Sequence, residues 1–478
     1  MVKDKELSRG INLPVAIFII VGMVIGAGIW LNPAAYLSKT GPAIFISYLI
    51  AVIPSIFVAF ISAYLGSAFP VAGGSYVITS RLLGKFGGFM VVWLIILAVG
   101  TTLAYLSSML GLFLTQALLP ETIPAGLELI IVILIGIIVL MVFYFLNWIK
   151  IELSGLIELI ITIFGDILVM IIFIIAAIPA FNPSNIANLF PIGISPVLFA
   201  ALIFFFSYVG FTLILDVAGE VKNPKKNIPR ALLISFIILI SLYTLQAFMV
   251  AGVQPWNVPI GTVLEIIITH GLLPQGAIVL IGILIAVAIA STIHPSYMAY
   301  SRDILMISRE HLFPKIFSKV NEKHKTPRHA LTLLFIVGII FLITFIPALT
   351  MLAGLTIELA ATLLSAIVGV VVLIIQIPLC IGAIFFQRKF PEWHDKAGFK
   401  PSKTLIMIFG ILGAVFSALF LLLLFLDPDA GLIISLIVFP FLGIGVILYL
   451  IRNAMLKKKG VDVKATMKKL PESVTIED

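Results

Sequence analysis

The sequence predicts an all-α integral membrane protein with twelve transmembrane helices, and three observations lead there. Of its 478 residues, 62% are apolar and 11% charged, against roughly 45–50% and about 25% in soluble globular proteins. So few charges cannot clothe a water-facing surface. Twelve mostly apolar stretches follow one another, near 13–37, 43–68, 86–115, 126–146, 151–178, 197–218, 231–253, 276–300, 329–348, 351–378, 403–426 and 431–451. Each reaches the length of about 20 residues that a bilayer-crossing helix needs. Finally, the basic residues fall on alternate connections, as the orientation rule for such helices requires.

Taken in order, the first span reads VGMVIGAGIWLNP, with Gly22, Gly26, Gly28 and Pro33 inside or beside an apolar run. It is too long and too interrupted by glycine for a cleaved signal peptide, and more spans follow at once. The second span leads into FPVAGGSYVITSRLLGKFGG, and the third carries Gly100, Thr101, Thr102 and Ala104. The fifth contains Asp166. The sixth reads FFFSYVGFTLILDVAGE, with Gly210 at its centre and Asp216, Gly219 and Glu220 near its end. The eighth holds Ser291, Thr292 and His294 ahead of Pro295, and the tenth Glu358. No compositional break divides 1–456, which reads as one transmembrane domain; the polar stretch 457–478 reads as a disordered cytoplasmic tail.

If twelve spans are assumed, 29 of the 30 Lys and Arg residues lie on the side of the two termini, and Lys39 alone lies opposite. Cytoplasmic loops are the ones enriched in these residues, so both termini are expected in the cytoplasm. The net charge of +8 is then a topology signal and a means of contact with anionic headgroups; no nucleic-acid partner is expected. The single cysteine, Cys380, excludes a disulfide framework and any multi-cysteine metal site within the chain. No G-x-x-x-x-G-K-[ST] loop and no H-E-x-x-H helix occurs, which removes the obvious nucleotide-hydrolysis and metalloprotease chemistries. IFGD at 163–166 lacks the first glycine of an intramembrane aspartyl protease motif.

Glycine inside a helix costs about 1 kcal/mol relative to Ala, and a freed backbone group in lipid must find a partner. Gly22 and Gly26 by themselves make a common helix-packing G-x-x-x-G. The pairing of interruptions in spans one and six is more telling, because they are corresponding members of two five-helix halves, the best sequence pointer to a transport site. Free N–H groups at an unwound point suit a carboxylate and the freed carbonyls suit an ammonium or a metal cation, so a zwitterion fits the pair.

At these residues the chain resembles the amino acid–polyamine–organocation (APC) superfamily of amino acid permeases. The likeness lies in GMVIGAGIW, FPVAGGSYVITSRLLGKFGG, FSYVGFTLILDVAGEVKNPKKNIPRA and ISREHLFPKIFSKVNEKHKTPRHA, and it extends over nearly the whole length. The resemblance implies a LeuT-like 5+5 inverted repeat plus two C-terminal helices, with helices 1 and 6 unwound mid-membrane. Repeat one would occupy about 13–178, repeat two about 197–378 and the added helices about 403–451. It places a carboxylate site on the backbone of Gly26, Ala27 and Gly28, beside Ile25. The amino-group acceptors would be the carbonyls of Val24, Phe206 and Val209, with Phe206 as an aromatic gate and Ser207 and Gly210 completing the break.

Relatives that take cationic substrates often carry an acid just after the span-six break, where this chain has Thr212. A buried cation without a partner costs several kcal/mol, so a neutral amino acid is expected. No cofactor is expected beyond a coupling ion, H+ or Na+. For sodium, span-one carbonyls with Ser291 and Thr292 supply hard oxygen ligands; for a proton, Asp166 or His294 is the carrier. Asp166 as a simple hydrogen-bond acceptor and His294 as filler of a kink are the structural alternatives. Asp216 is expected near the cytoplasmic gate, Glu358 near the outer end of span ten, and Glu220 in a surface pair with loop Lys or Arg. The expected activity is secondary active transport, not enzymatic, in a cytoplasmic membrane, by ion-coupled uptake. Uncoupled exchange, a non-transporting sensor, and a lipid enzyme using Asp166, Asp216 and Glu358 are the rivals. The sequence gives no handle on oligomeric state.

Overall fold

A computed structural model describes residues 9–118, 123–149, 151–427 and 430–463. Among them, eleven helices are long and apolar enough to cross a membrane, and a bent helix pair makes a twelfth. That pair is α1 (Leu13–Val24) and α2 (Ala27–Ala35), set at 43° to each other. The Asn12 side chain starts α1 by accepting from the Val15 N–H at 3.0 Å, the usual N-cap device. Ile25 and Gly26 are both extended, so the helix ends at Val24 and a new one begins at Ala27.

There follow α3 (Ile44–Ala68) and α4 (Gly74–Leu118). Inside α4 the left-handed Gly84, φ +83°, separates a short first segment from the long one that crosses. Then come α5 (Ala125–Leu146), α6 (Gly155–Ala180) and α7 (Ser195–Phe204). After α7 the chain runs as 3-10 turns at Phe205–Tyr208 and Phe211–Leu215, hinged at Gly210 with φ +118°. The remaining elements are α8 (Pro224–Val253), α9 (Val263–Thr269), α10 (Gln275–Arg309), α11 (Arg328–Leu352), α12 (Ile357–Lys389), α13 (Pro391–Lys396), α14 (Lys403–Phe425) and α15 (Gly431–Lys458).

Inside, α4 is the central post, packed against α5, α10, α11 and α12. The α1 helix packs on α6 and α8, while α12 packs on α14. Outside, residues such as Ile130, Leu134 and Ile138 on α5 expose more than half their surface. Their four-residue spacing gives an apolar stripe down one helix face, which suits lipid and not water.

Several helix ends differ from the sequence reading, and charge is the common reason. The seventh helix starts at Pro224 and not near 231, and the eighth continues to Arg309 and not to about 300. Both extensions are rich in polar residues that a hydropathy reading discards. The tenth was expected from 351, but that residue belongs to α11. The chain turns at Gly354, φ +67°, and the Thr356 hydroxyl caps α12 by accepting from the Leu359 N–H. The tail expected from 457 is still helical at Lys458; its part beyond 463 lies outside the described residues, as do Lys3, Lys5 and Lys150 of the charge count.

Candidate functional site

The two breaks in α1–α2 and after α7 meet around one closed-down cavity of about 30 Å³. Of the ten residues singled out for substrate, Val24, Gly26, Gly28, Phe206, Ser207 and Val209 line it. Met23 and Ile29 beside the first break, Thr102 and Leu106 of α4, Tyr243 of α8, Thr292 and Tyr300 of α10 and Val368 of α12 complete the wall. No charged side chain lines it. The first turn of α2 presents Gly26, Ala27 and Gly28 at a helix N-terminus, whose unpaired N–H groups and positive dipole end suit an anion.

The other four candidates sit around this wall. Ile25 and Ala27 belong to the break and are fully buried, but neither lines the cavity. Gly210 stands behind it: a Cβ there would lie 2.7 Å from Met23 Cγ and 3.1 Å from the Met23 carbonyl oxygen. Thr212 lines a separate cavity of about 30 Å³, together with Ser75, Thr79, Tyr300 and Gln376. Tyr300 is common to both cavities, so it forms the partition between them. On the other side, Phe206 is shared with a wider recess reaching Tyr36, Lys39 and Asp427. Phe206 is held there by an edge-to-face contact with Tyr105, ring centroids 5.4 Å apart, an arrangement favoured by the ring quadrupoles.

Some of the backbone freed by the breaks is already engaged. The Tyr243 hydroxyl donates to the Val24 carbonyl at 3.0 Å, and the Gln246 amide donates to the Ile29 carbonyl at 2.9 Å. Thr292 Oγ1 lies 3.2 Å from the Gly22 carbonyl and 3.0 Å from that of Ile25. A carbonyl oxygen has two lone pairs, so Val24 keeps one for a second donor.

Beside the cavity, α6 and α10 face each other with polar groups. Ser291 Oγ lies 3.3 Å from Asp166 Oδ2 and donates to the Ala288 carbonyl at 2.6 Å. His294 Nδ1 lies 2.8 Å from Glu158 Oε2, both side chains fully buried. Thr162, between the two acids along α6, reaches the Phe18 carbonyl at 3.3 Å. A π-helical turn at Thr162–Ile167 carries Asp166, the kind of helix irregularity that recurs at functional positions. Pro295 has no N–H to return to the Ser291 carbonyl four residues earlier, which leaves one more oxygen near Thr292. Sequence reasoning passed over Glu158. Its signal was spacing: 158, 162 and 166 fall on one helix face.

The face on which α1 begins is closed by buried charge. Arg302 clasps Glu220 through two contacts of 2.8 and 3.2 Å. This corrects the expected surface pair, because both side chains are at most 2% exposed. A buried pair is costly to break in a way that a surface pair is not. Asp216 Oδ1 accepts from the Ser75 N–H at 2.7 Å and Asp303 Oδ1 from the Tyr76 N–H at 2.9 Å, capping the start of α4. Arg81 and the Tyr76 hydroxyl both hold Glu310. Short backbone bridges, Ile11 with Val221 and Ala72 with Val217, complete the seal. Asp166 and Asp216 hold different partners and Glu358 lies in the first turn of α12, so the three do not gather as catalytic acids.

A sequence model of the family described as Amino acid permease matches residues 11–449. The branched-chain amino acid permease BcaP of Bacillus subtilis (strain 168) is 27% identical over 345 residues, covering 68% of this chain and 72% of its own. The mitochondrial cationic amino acid transporter 3 of Arabidopsis thaliana is 27% identical over 345 residues, covering 68% of this chain and 55% of its own. The methylthioribose transporter of Bacillus subtilis (strain 168) is 24% identical over 343 residues, covering 68% of this chain and 72% of its own.

Proposed function

The chain belongs to the amino acid permease family, and from that premise we propose that it takes up neutral amino acids by ion-coupled alternating access. The observation that carries this is the meeting of both helix breaks at one cavity with no charged side chain in its wall. The substrate carboxylate sits on the backbone N–H groups of Gly26, Ala27 and Gly28, and its ammonium faces the carbonyls of Val24, Phe206 and Val209. Met23, Ile29, Leu106 and Val368 leave the apolar space that an aliphatic side chain fills, in line with the branched-chain substrate named for one relative. A cationic side chain would enter without a partner, at a cost of several kcal/mol.

Phe206 closes the cavity from one side and Tyr300 from the other. The face sealed by Arg302 and Glu220 is cytoplasmic on the basic-residue distribution, in the cell membrane. The α1–α2 and α7 breaks are corresponding members of a 5+5 inverted repeat, and one bundle rocks against the other around the cavity. For coupling we assign a proton to Asp166. Support comes from its complete burial beside the Ser291 hydroxyl, with no Lys or Arg partner among the described residues. An ionisable group held inside a membrane protein in this way is a functional candidate by default.

Purified protein in proteoliposomes, offered labelled amino acids, tests the proposal under four conditions: no gradient, an inward proton gradient, an inward sodium gradient, and preloaded unlabelled amino acids. Accumulation of a neutral amino acid driven by protons is the expected outcome. Sodium-driven accumulation would move the coupling site to Ser291, Thr292 and the Gly22 and Ile25 carbonyls. Uptake only on preloading would make it an exchanger, and no uptake by folded protein would overturn transport itself.

A further inference from the structure

The second cavity is built like a binding site and has no part in the reading above. Its volume, about 30 Å³, equals that of the central one, so both are closed down in this state and both must widen to admit an amino acid; the two share only Tyr300. Its wall divides by chemistry. Ser75, Thr79, Thr212, Tyr300 and Gln376 bring hydroxyls and one carboxamide. Ile95, Ala98, Val372, Ile375 and Leu379 bring only hydrocarbon.

Two of the polar groups lack partners. Thr79 and Gln376 are each 1% exposed, yet the Thr79 hydroxyl and the Gln376 amide nitrogen have no hydrogen-bond partner in the protein. The Gln376 oxygen is in reach of Ser417 at 3.5 Å, so whichever way the amide is turned, one polar end stays unpaired. Buried polar groups are nearly always paired, and one left alone is costly. Beyond the cavity lies the sealed face: Ser75, in its wall, is held by Asp216. Whatever leaves the central cavity past Tyr300 in this direction meets this space before the Arg302–Glu220 pair opens.

We infer that the cavity beyond Tyr300 is a second, transient station for the transported amino acid on its way to the sealed face. The polar half meets its ammonium and carboxylate and the hydrocarbon half its aliphatic side chain. The wall offers neutral hydrogen bonds and no fixed charge, so it lowers the barrier to passage without trapping the substrate. The inference rests on the amino acid reading given above, and it adds Thr79 and Gln376 as residues that set the rate of release.

The test uses the full chain in proteoliposomes and the amino acid that the four-condition assay identifies. Thr79→Val and Gln376→Leu are each expected to lower turnover about threefold to tenfold, the loss of one hydrogen bond, while equilibrium affinity stays within about twofold, the signature of an interaction absent from the resting complex. Thr79→Ser keeps the hydroxyl and is expected to transport like the wild type. If Gln376→Leu does not fold, Thr212→Val, on the same wall, reads the same step. Wild-type turnover in the variants, with the wild type active, overturns the station and leaves a cavity that holds only solvent. A wild type that moves no amino acid under any condition overturns the underlying reading instead.

Discussion

Replacing Gly210 by alanine adds one methyl group at the point where the two helix breaks touch. Its φ of +118° lies where L side chains are strained, at a cost of order 1–3 kcal/mol. The added carbon would also stand 2.7 Å from Met23 Cγ and 3.1 Å from the Met23 carbonyl oxygen. The side chain can swing aside, but the carbonyl is the last turn of α1 and cannot. Crowding of this kind adds about 1–3 kcal/mol. Relief has one direction: the chain from Val209 to Phe211 and the end of α1 must separate, and Met23, Val24 and Val209 line the central cavity. Together these come to about 2–6 kcal/mol, and relieving even the lower figure there weakens substrate binding at least roughly 30-fold, while the helices that carry the fold keep their packing. Equilibrium binding of the transported amino acid to purified Gly210→Ala protein, with a thermal unfolding curve alongside, is the assay. Affinity within about threefold of wild type at an unchanged Tm would refute the reasoning, because neither the backbone strain nor the contact with Met23 would then be shaping the site.

Asp166→Asn is expected to abolish proton-driven accumulation while leaving exchange on preloading intact, as measured in the same vesicles; accumulation at the wild-type level returns Asp166 to a plain hydrogen-bond acceptor. His294→Ala removes the ring nitrogen that the buried Glu158 side chain meets at 2.8 Å, and a buried polar group left without a partner costs about 1–3 kcal/mol. Its Tm in detergent should fall clearly, and the double variant Glu158→Gln with His294→Ala should recover much of the loss. Arg302→Gln unclasps Glu220 at the sealed face. A cysteine introduced at Thr212 in a Cys380→Ser background should then react faster with a polar thiol reagent from that side, and unchanged labelling would show that this pair does not hold the seal.

Much of this was legible in the chain because bilayers impose length and apolarity, and the glycines at 26 and 210 mark where a helix is interrupted. Proximity across the sequence was less accessible. Spans one and six were paired through their order in two halves, but which wall each residue faces depends on helix rotation, and a one-residue turn of 100° moves a side chain from one cavity to the next. Thr212, two residues past Gly210, follows a 3-10 turn and so lines the cavity beyond Tyr300. With it goes the argument for a neutral substrate from the acid missing at that position; the charge-free wall of the central cavity now supplies it.

Buried pairs are the other part that composition hides. Glu220 and Arg302 lie 82 residues apart and Glu158 and His294 lie 136 apart, each next to a run of apolar or loop residues that gives no sign of its partner. In water an isolated charge at a helix end needs no explanation, so Glu220 reads as a surface residue until the fold encloses it. The energetic consequence reverses with the setting. A surface pair contributes about 0–1 kcal/mol and can be ignored, whereas an enclosed pair must be kept or released as a unit. The proposed mechanism has both faces open in turn, and the sealed one here is closed by the Arg302–Glu220 clasp, the Arg81–Glu310 pair and two carboxylates capping α4. Opening that face in the proposed cycle has to break these contacts, and their loss is offset by water reaching the same groups. In the proposed mechanism the sealed face is the element whose polar contacts distinguish one state from the other, a distinction that the apolar helices around it do not themselves provide.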